Sequence, residues 1–194
     1  MAYDYFELTL TELGGARELA RHVYRQLGDA AIAVFAPLLG FGQNQALVLT
    51  VHGGTQASVL RAPGVASSVQ SRLSPTLRPR DGARPEPMGI YVHNWFTIED
   101  RVDEFVRLSG EAWPDFEASF QTKVFGLFVA EPNGGDRSAG QRRMLLMTGY
   151  KDLNEWQVSR SPAPTARSAF ERRRQLTRNS LARACTLVPR EAAA

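Results

Sequence analysis

One order of hydrophobic patterns occurs twice in this chain, on either side of a segment too rich in proline to be helical. Residues 74–89 hold four prolines and two glycines. Proline removes a backbone donor and blocks the helical path, so this stretch reads as a linker with a short edge strand near Leu77. It divides the chain into a first unit over 1–74, a linker over 75–88 and a second unit over 89–190.

In the first unit, Tyr3 to Leu10 alternates, with Phe6, Leu8 and Leu10 on one face and Tyr5, Glu7 and Thr9 on the other. That is the pattern of a half-buried strand. Leu13, Ala16, Ala20, Val23, Tyr24 and Leu27 then recur at helical spacing beside a solvated stripe of Arg17, Arg21 and Arg25, and Gly28 stands at the expected stop. Apolar segments over 31–41 and 45–52 flank Gly42-Gln43-Asn44, a hairpin turn, and a weaker helical stretch covers 55–73.

The second unit repeats the order. Ile90 to Thr97 alternates as a strand, and Thr97 with Asp100 forms a capping box. Val102, Phe105, Val106, Ser109, Trp113 and Phe116 mark one face of the helix that follows. Val124 to Ala130 and Met144 to Tyr150 read as strands, joined by a Gly- and Asp-rich loop over 131–143 that is long for a hairpin. A short helical turn reaches Trp156, and past Pro162 and Pro164 a long helix runs to Ala184 before a last strand, Cys185 to Pro189. Both units therefore read β-α-β-β-α with a closing β. The expectation is an α+β fold of tandem ferredoxin-like repeats, whose two antiparallel sheets hide their uncovered faces by packing together as a barrel.

The second unit also carries recognisable residues: Ile90-Tyr-Val-His-Asn-Trp-Phe-Thr97, Val102-Asp-Glu-Phe105, Val124-Phe-Gly-Leu-Phe128 and Leu145 through Tyr150 to Arg160. This series resembles NIPSNAP-type domains of the dimeric α/β-barrel superfamily, over about residues 88–185. The resemblance implies a ferredoxin-like fold. It implies no single chemistry, because the superfamily includes small monooxygenases, haem-degrading enzymes, isomerases and proteins without known activity. Where the family's first strand tends to carry Arg and, two residues on, Tyr, this chain has His93 and Trp95. No catalytic residue is carried over from the family.

If Phe6, Leu8, Leu10, Val92 and Phe96 cover helices, then Tyr5, Glu7, Thr9, Tyr91, His93 and Trp95 face the barrel. The same reading of parity places Val48, Thr50 and His52, with Leu146, Thr148 and Tyr150, inside as well. Aromatic bodies with a few polar tips line pockets for small apolar ligands, so Tyr5, Tyr91, Trp95, His52 and Tyr150 are the ligand-binding candidates. Glu7 and His93 are the candidate catalytic pair, Glu7 orienting or deprotonating a general base that would abstract a proton from an activated aromatic substrate.

The three histidines, at 22, 52 and 93, show no metal-ligand spacing, and Cys185 stands alone, so no metal is expected. Haem is the alternative cofactor, with His52 as axial ligand. Glycine pairs lack the context of a nucleotide fingerprint, and Ser109 and Ser159 lack that of a nucleophile elbow. The net charge of +3 hides a basic C-terminal stretch, since residues 160–194 hold eight Arg against Glu171 and Glu191. Most of these read as the solvated face of the last helix, and without interleaved aromatics a nucleic-acid partner is not expected. Without an apolar run long enough for a membrane span, the reading is a cytoplasmic protein that binds a small apolar or aromatic molecule. The alternatives are a homodimer or other oligomer serving as an interaction scaffold, and a haem-binding or monooxygenase-type relative.

Overall fold

The computed structural model describes residues 1–161 and 164–191. The first half runs β1 (Tyr3–Leu10), α1 (Ala16–Leu27), β2 (Ala31–Leu39), β3 (Gln45–Val51), α2 (Gln56–Leu60) and β4 (Val65–Pro75). The second runs β5 (Ile90–Glu99), α3 (Val102–Ser119), β6 (Thr122–Ala130), α4 (Gly134–Ser138), β7 (Gln141–Tyr150), α5 (Leu153–Val158), α6 (Pro164–Gln175) and β8 (Thr177–Leu187). Each half is a ferredoxin-like sheet, ordered β4-β1-β3-β2 and β8-β5-β7-β6. The halves join through β2 with β8 and β4 with β6, all antiparallel, so eight strands close into one barrel within a single chain. Closure removes the sheet edges that two separate halves would expose.

Two predicted helices are corrected. The 55–73 stretch yields only the short α2 before becoming β4, and the helix expected to reach Ala184 ends at Gln175, where β8 takes over. In both strands the first half is paired on one side only and is exposed on both faces, so mostly polar residues occupy it without apolar alternation. What holds them extended is non-local: β4 ladders along β1 and β8 along β5. Thr97 is not a helix cap, because β5 continues to Glu99 and α3 starts at Val102 behind Arg101. Pro162 lies outside the described residues.

The linker is a strap packed on the second half. Thr76 N–H donates to the Leu127 carbonyl and Leu127 N–H to the Arg78 carbonyl, so the chain stays tied to β6 past the end of β4 although no edge strand forms at Leu77. Arg78 then pairs with Glu117 at 2.6 Å. The strap runs so close to β6 that a Cβ on Gly126 would stand 2.7 Å from both Pro79 and the Phe128 ring, which is why no larger residue fits. Gly28, at φ 50°, stops α1 as expected.

Burial falls into three layers. The barrel is filled by Tyr3, Tyr5, Phe35, Leu49, Tyr91, Phe128 and Met147. Outside the first half, Phe6, Leu8 and Val48 meet Leu19, Ala20 and Val23 of α1. Outside the second, Phe96, Ile98 and Met144 meet Phe105, Leu108 and Trp113 of α3.

Candidate functional site

Register decides which predicted residues share a space, since residues directly opposite in an antiparallel ladder point to the same face. Tyr5 pairs with Leu49, and His93 with Met147. Tyr5, Tyr91, His93 and Trp95 therefore point into the barrel as expected, but so do Leu47, Leu49, Leu145 and Met147. Val48, Thr50, His52, Leu146, Thr148 and Tyr150 belong to the opposite faces, one residue out of step with the expectation. His52 lies outside the first half, its Nδ1 2.9 Å from Asp4. Tyr150 packs with Phe116, Ile90 and Val92 outside the second half.

The barrel interior is packed rather than hollow. His93 is fully buried, with Nδ1 2.9 Å from the Tyr5 hydroxyl and its ring edge-on to Phe35 at 4.6 Å. Burial, and secondarily the Arg183 charge, pushes its pKa down to about 3, so the imidazole is neutral. Burial raises the Tyr5 hydroxyl well above its usual value, so Tyr5 keeps its proton and meets Nδ1 as a neutral hydroxyl. Glu7 does not meet His93. It pairs with Arg183 at 2.7 Å, and this guanidinium stacks on Phe41 at the barrel's end. The predicted acid and base are thus each held by a different partner.

The space for a ligand lies on the other side of the second sheet. A cavity of about 1010 Å³ opens between β5, β7, β8 and the helices α3, α5 and α6. Val92, Phe96, Leu146 and Tyr150 form its floor, with Trp113, Phe116, Trp156 and Phe170 as apolar walls. Arg160, Arg167, Arg173 and Arg174 also line it, against Glu171. Arg173 reaches inward: its guanidinium lies over Phe170, Phe96 and Phe105 at 4.8, 5.1 and 5.3 Å, and burial brings its pKa down to about 10. Of the predicted ligand residues only Tyr150 lines this cavity. Burial raises the pKa of its hydroxyl, which stays protonated.

Arg173 and Trp113 were missed as site residues. Trp113 was read only as part of a buried helix face. Arg173 did carry a signal, since it falls at i+3 from Phe170 and i−3 from Leu176, on the buried stripe of Ala166, Ala169, Phe170 and Leu176. A charged residue in the middle of an apolar stripe needs a reason.

No protein-family model matches the sequence, and no curated protein matches it by sequence. Solved structures do match its fold. A proposed monooxygenase from Lactobacillus acidophilus aligns at TM-score 0.59 and 9% identity, covering 96% of this chain and 93% of that one. A proposed chlorite dismutase aligns at 0.59 and 12%, covering 100% and 98%. A haem-binding protein from Thermus thermophilus aligns at 0.55 and 13%, covering 98% and 92%. The chain has the dimeric α/β-barrel fold. In this dimeric α/β-barrel both ferredoxin-like units come from one polypeptide, and closure needs no second copy. Among the described residues no helix is long and apolar enough to cross a membrane, and no three His, Cys, Asp or Glu side chains gather as metal ligands would.

Proposed function

We propose that this protein binds a largely apolar, aromatic, negatively charged small molecule between the second sheet and its helices. The observation that carries the reading is the cavity itself. Its volume is at the upper end of ligand sites, its walls are aromatic, and four arginines line it against one glutamate. The sequence resemblance to NIPSNAP-type domains falls on this half, and fold neighbours include a haem-binding protein and a proposed monooxygenase, which supports small-molecule binding at the level of fold.

Haem itself does not fit the cavity. Its described lining offers no His, Cys or Met to iron: His93 lies on the other face of the sheet, and His52 outside the other half. Tyr150 is the lone phenol there, and its raised pKa opposes the phenolate that iron would take.

The test is titration with 1-anilinonaphthalene-8-sulfonate, an apolar aromatic anion that fluoresces when desolvated. One saturable site is expected, with energy transfer from Trp113 and Trp156, which line the cavity, reduced in a variant carrying Phe at both positions to what Trp95 across β5 still supplies. Absence of saturable binding, or unchanged transfer in that variant, would place the ligand elsewhere and overturn the reading.

A further inference from the structure

One buried donor in the lining of this cavity lacks an acceptor, and a half-buried guanidinium from a second helix of the lining has few. Trp113 is 3% exposed, and its indole Nε1, which can only donate, has no hydrogen-bond partner. Leaving a buried donor unpaired is costly, so its retention points to an acceptor that arrives from outside the chain. Arg173 is the second donor. Among the described residues no carboxylate lies within ion-pair distance of it, and its one hydrogen bond runs from Nη1 to the Ser109 hydroxyl oxygen at 3.2 Å. That hydroxyl donates onward to the Phe105 carbonyl, leaving most of the guanidinium fork unused. Ser109 and Trp113 are at i and i+4 on α3, so the hydroxyl that anchors Arg173 stands one helical turn from Trp113.

We propose that the ligand is an aryl carboxylate bound head-inward, its carboxylate held by Arg173 and the indole N–H of Trp113. The proposal rests on the cavity being the ligand site. A planar carboxylate offers two oxygens to a planar fork and has acceptor capacity left for the indole. The aromatic body then lies among Phe116, Phe170, Tyr150 and Leu146. The acid lining the cavity, Glu171, is exposed at its mouth and does not compete for the inner position.

Paired titrations with 2-naphthoate and 2-naphthylmethanol, which share a ring system and differ in the charged head, test the orientation. A charge-assisted hydrogen bond makes the wild-type protein prefer the carboxylate about tenfold or more. In Arg173→Met that preference disappears while affinity for the alcohol is retained, and Trp113→Phe lowers it by several-fold. Arg107→Ala, an exposed arginine of α3 outside the cavity lining, leaves it in place. Equal affinity for the two probes in the wild-type protein refutes the carboxylate clamp while leaving the cavity reading intact. A preference lost in Arg160→Ala but kept in Arg173→Met puts the carboxylate at the mouth and also refutes it. Binding of neither probe overturns clamp and cavity together. The wild-type comparison needs no variant to fold.

Discussion

Lowering the pH should destabilise this fold through one side chain, His93, and the size of the effect follows from its surroundings. The ring is fully buried among Tyr5, Phe35 and Trp95 with a single hydrogen bond to Tyr5, and burial brings its pKa from 6.5 down to about 3. Above pH 6.5 the imidazole is neutral in folded and unfolded chains alike, so it contributes no pH dependence. Between 6.5 and 3 the unfolded chain binds a proton that the folded barrel refuses, so stability falls by about 1.36 kcal/mol per pH unit. Below the folded pKa the loss is complete. Between pH 7.5 and 4.5 the cost attributable to His93 is therefore about 3 kcal/mol. Urea unfolding at these two values, on wild-type protein and on His93→Gln, isolates it. Glutamine keeps a polar group near Tyr5 but does not titrate, and the other titratable groups are common to both proteins. The wild-type protein should lose about 3 kcal/mol more than the variant. Equal losses would show that the barrel admits a charged imidazole and would refute the argument from packing.

Gly126→Ala should cost about 1 to 3 kcal/mol in urea unfolding, because its Cβ would press at 2.7 Å on the strap at Pro79 and on the Phe128 ring, and neither has room to retreat. A neutral outcome would mean that the strap is loosely held. Arg173→Met should leave ligand-free stability unchanged or raise it by about 1 kcal/mol, because it removes a charge from among three Phe rings while Ser109 keeps its bond to Phe105. Thermal unfolding reads this directly, and a large loss would mean that Arg173 is there to hold α6 in place.

Much of the architecture was legible because it is written in local periodicity. The strands β1 and β5, the helices α1 and α3, the hairpin turn before β3 and the stop at Gly28 all follow from alternation, helical spacing or one special residue. What escaped was set by partners distant in sequence. The exposed halves of β4 and β8 lack alternation because neither of their faces is covered, and only the ladders to β1 and β5 make them strands. A register one residue off sends every side chain to the opposite face. That single step moved His52 and Tyr150 out of the barrel and brought Leu49 and Met147 in, which filled the space expected to hold a ligand.

The two halves share the ferredoxin-like strand order, and the way their helices sit explains why the second forms this large cavity. Over the first sheet, α1 lies flat: Ala16, Leu19, Ala20, Val23 and Tyr24 are all buried, and the Tyr24 hydroxyl accepts from the Val34 N–H and donates to the Val188 carbonyl, pinning the helix to the strands. Small residues at 16 and 20 let the helix approach closely. Over the second sheet, Ala112, Ala166 and Ala169 cluster together, so α6 approaches α3 closely instead of the sheet. The short α5 buries none of its residues and cannot fill the space that results. Large aromatic side chains and arginine stems line that space instead, and aliphatic residues that would seal it are absent from the described part of α6. A chain selected only for stability would be expected to close such a gap as the first half does. Keeping it open, with Arg173 inside and Trp113 unpaired, is the arrangement expected where binding has constrained the packing.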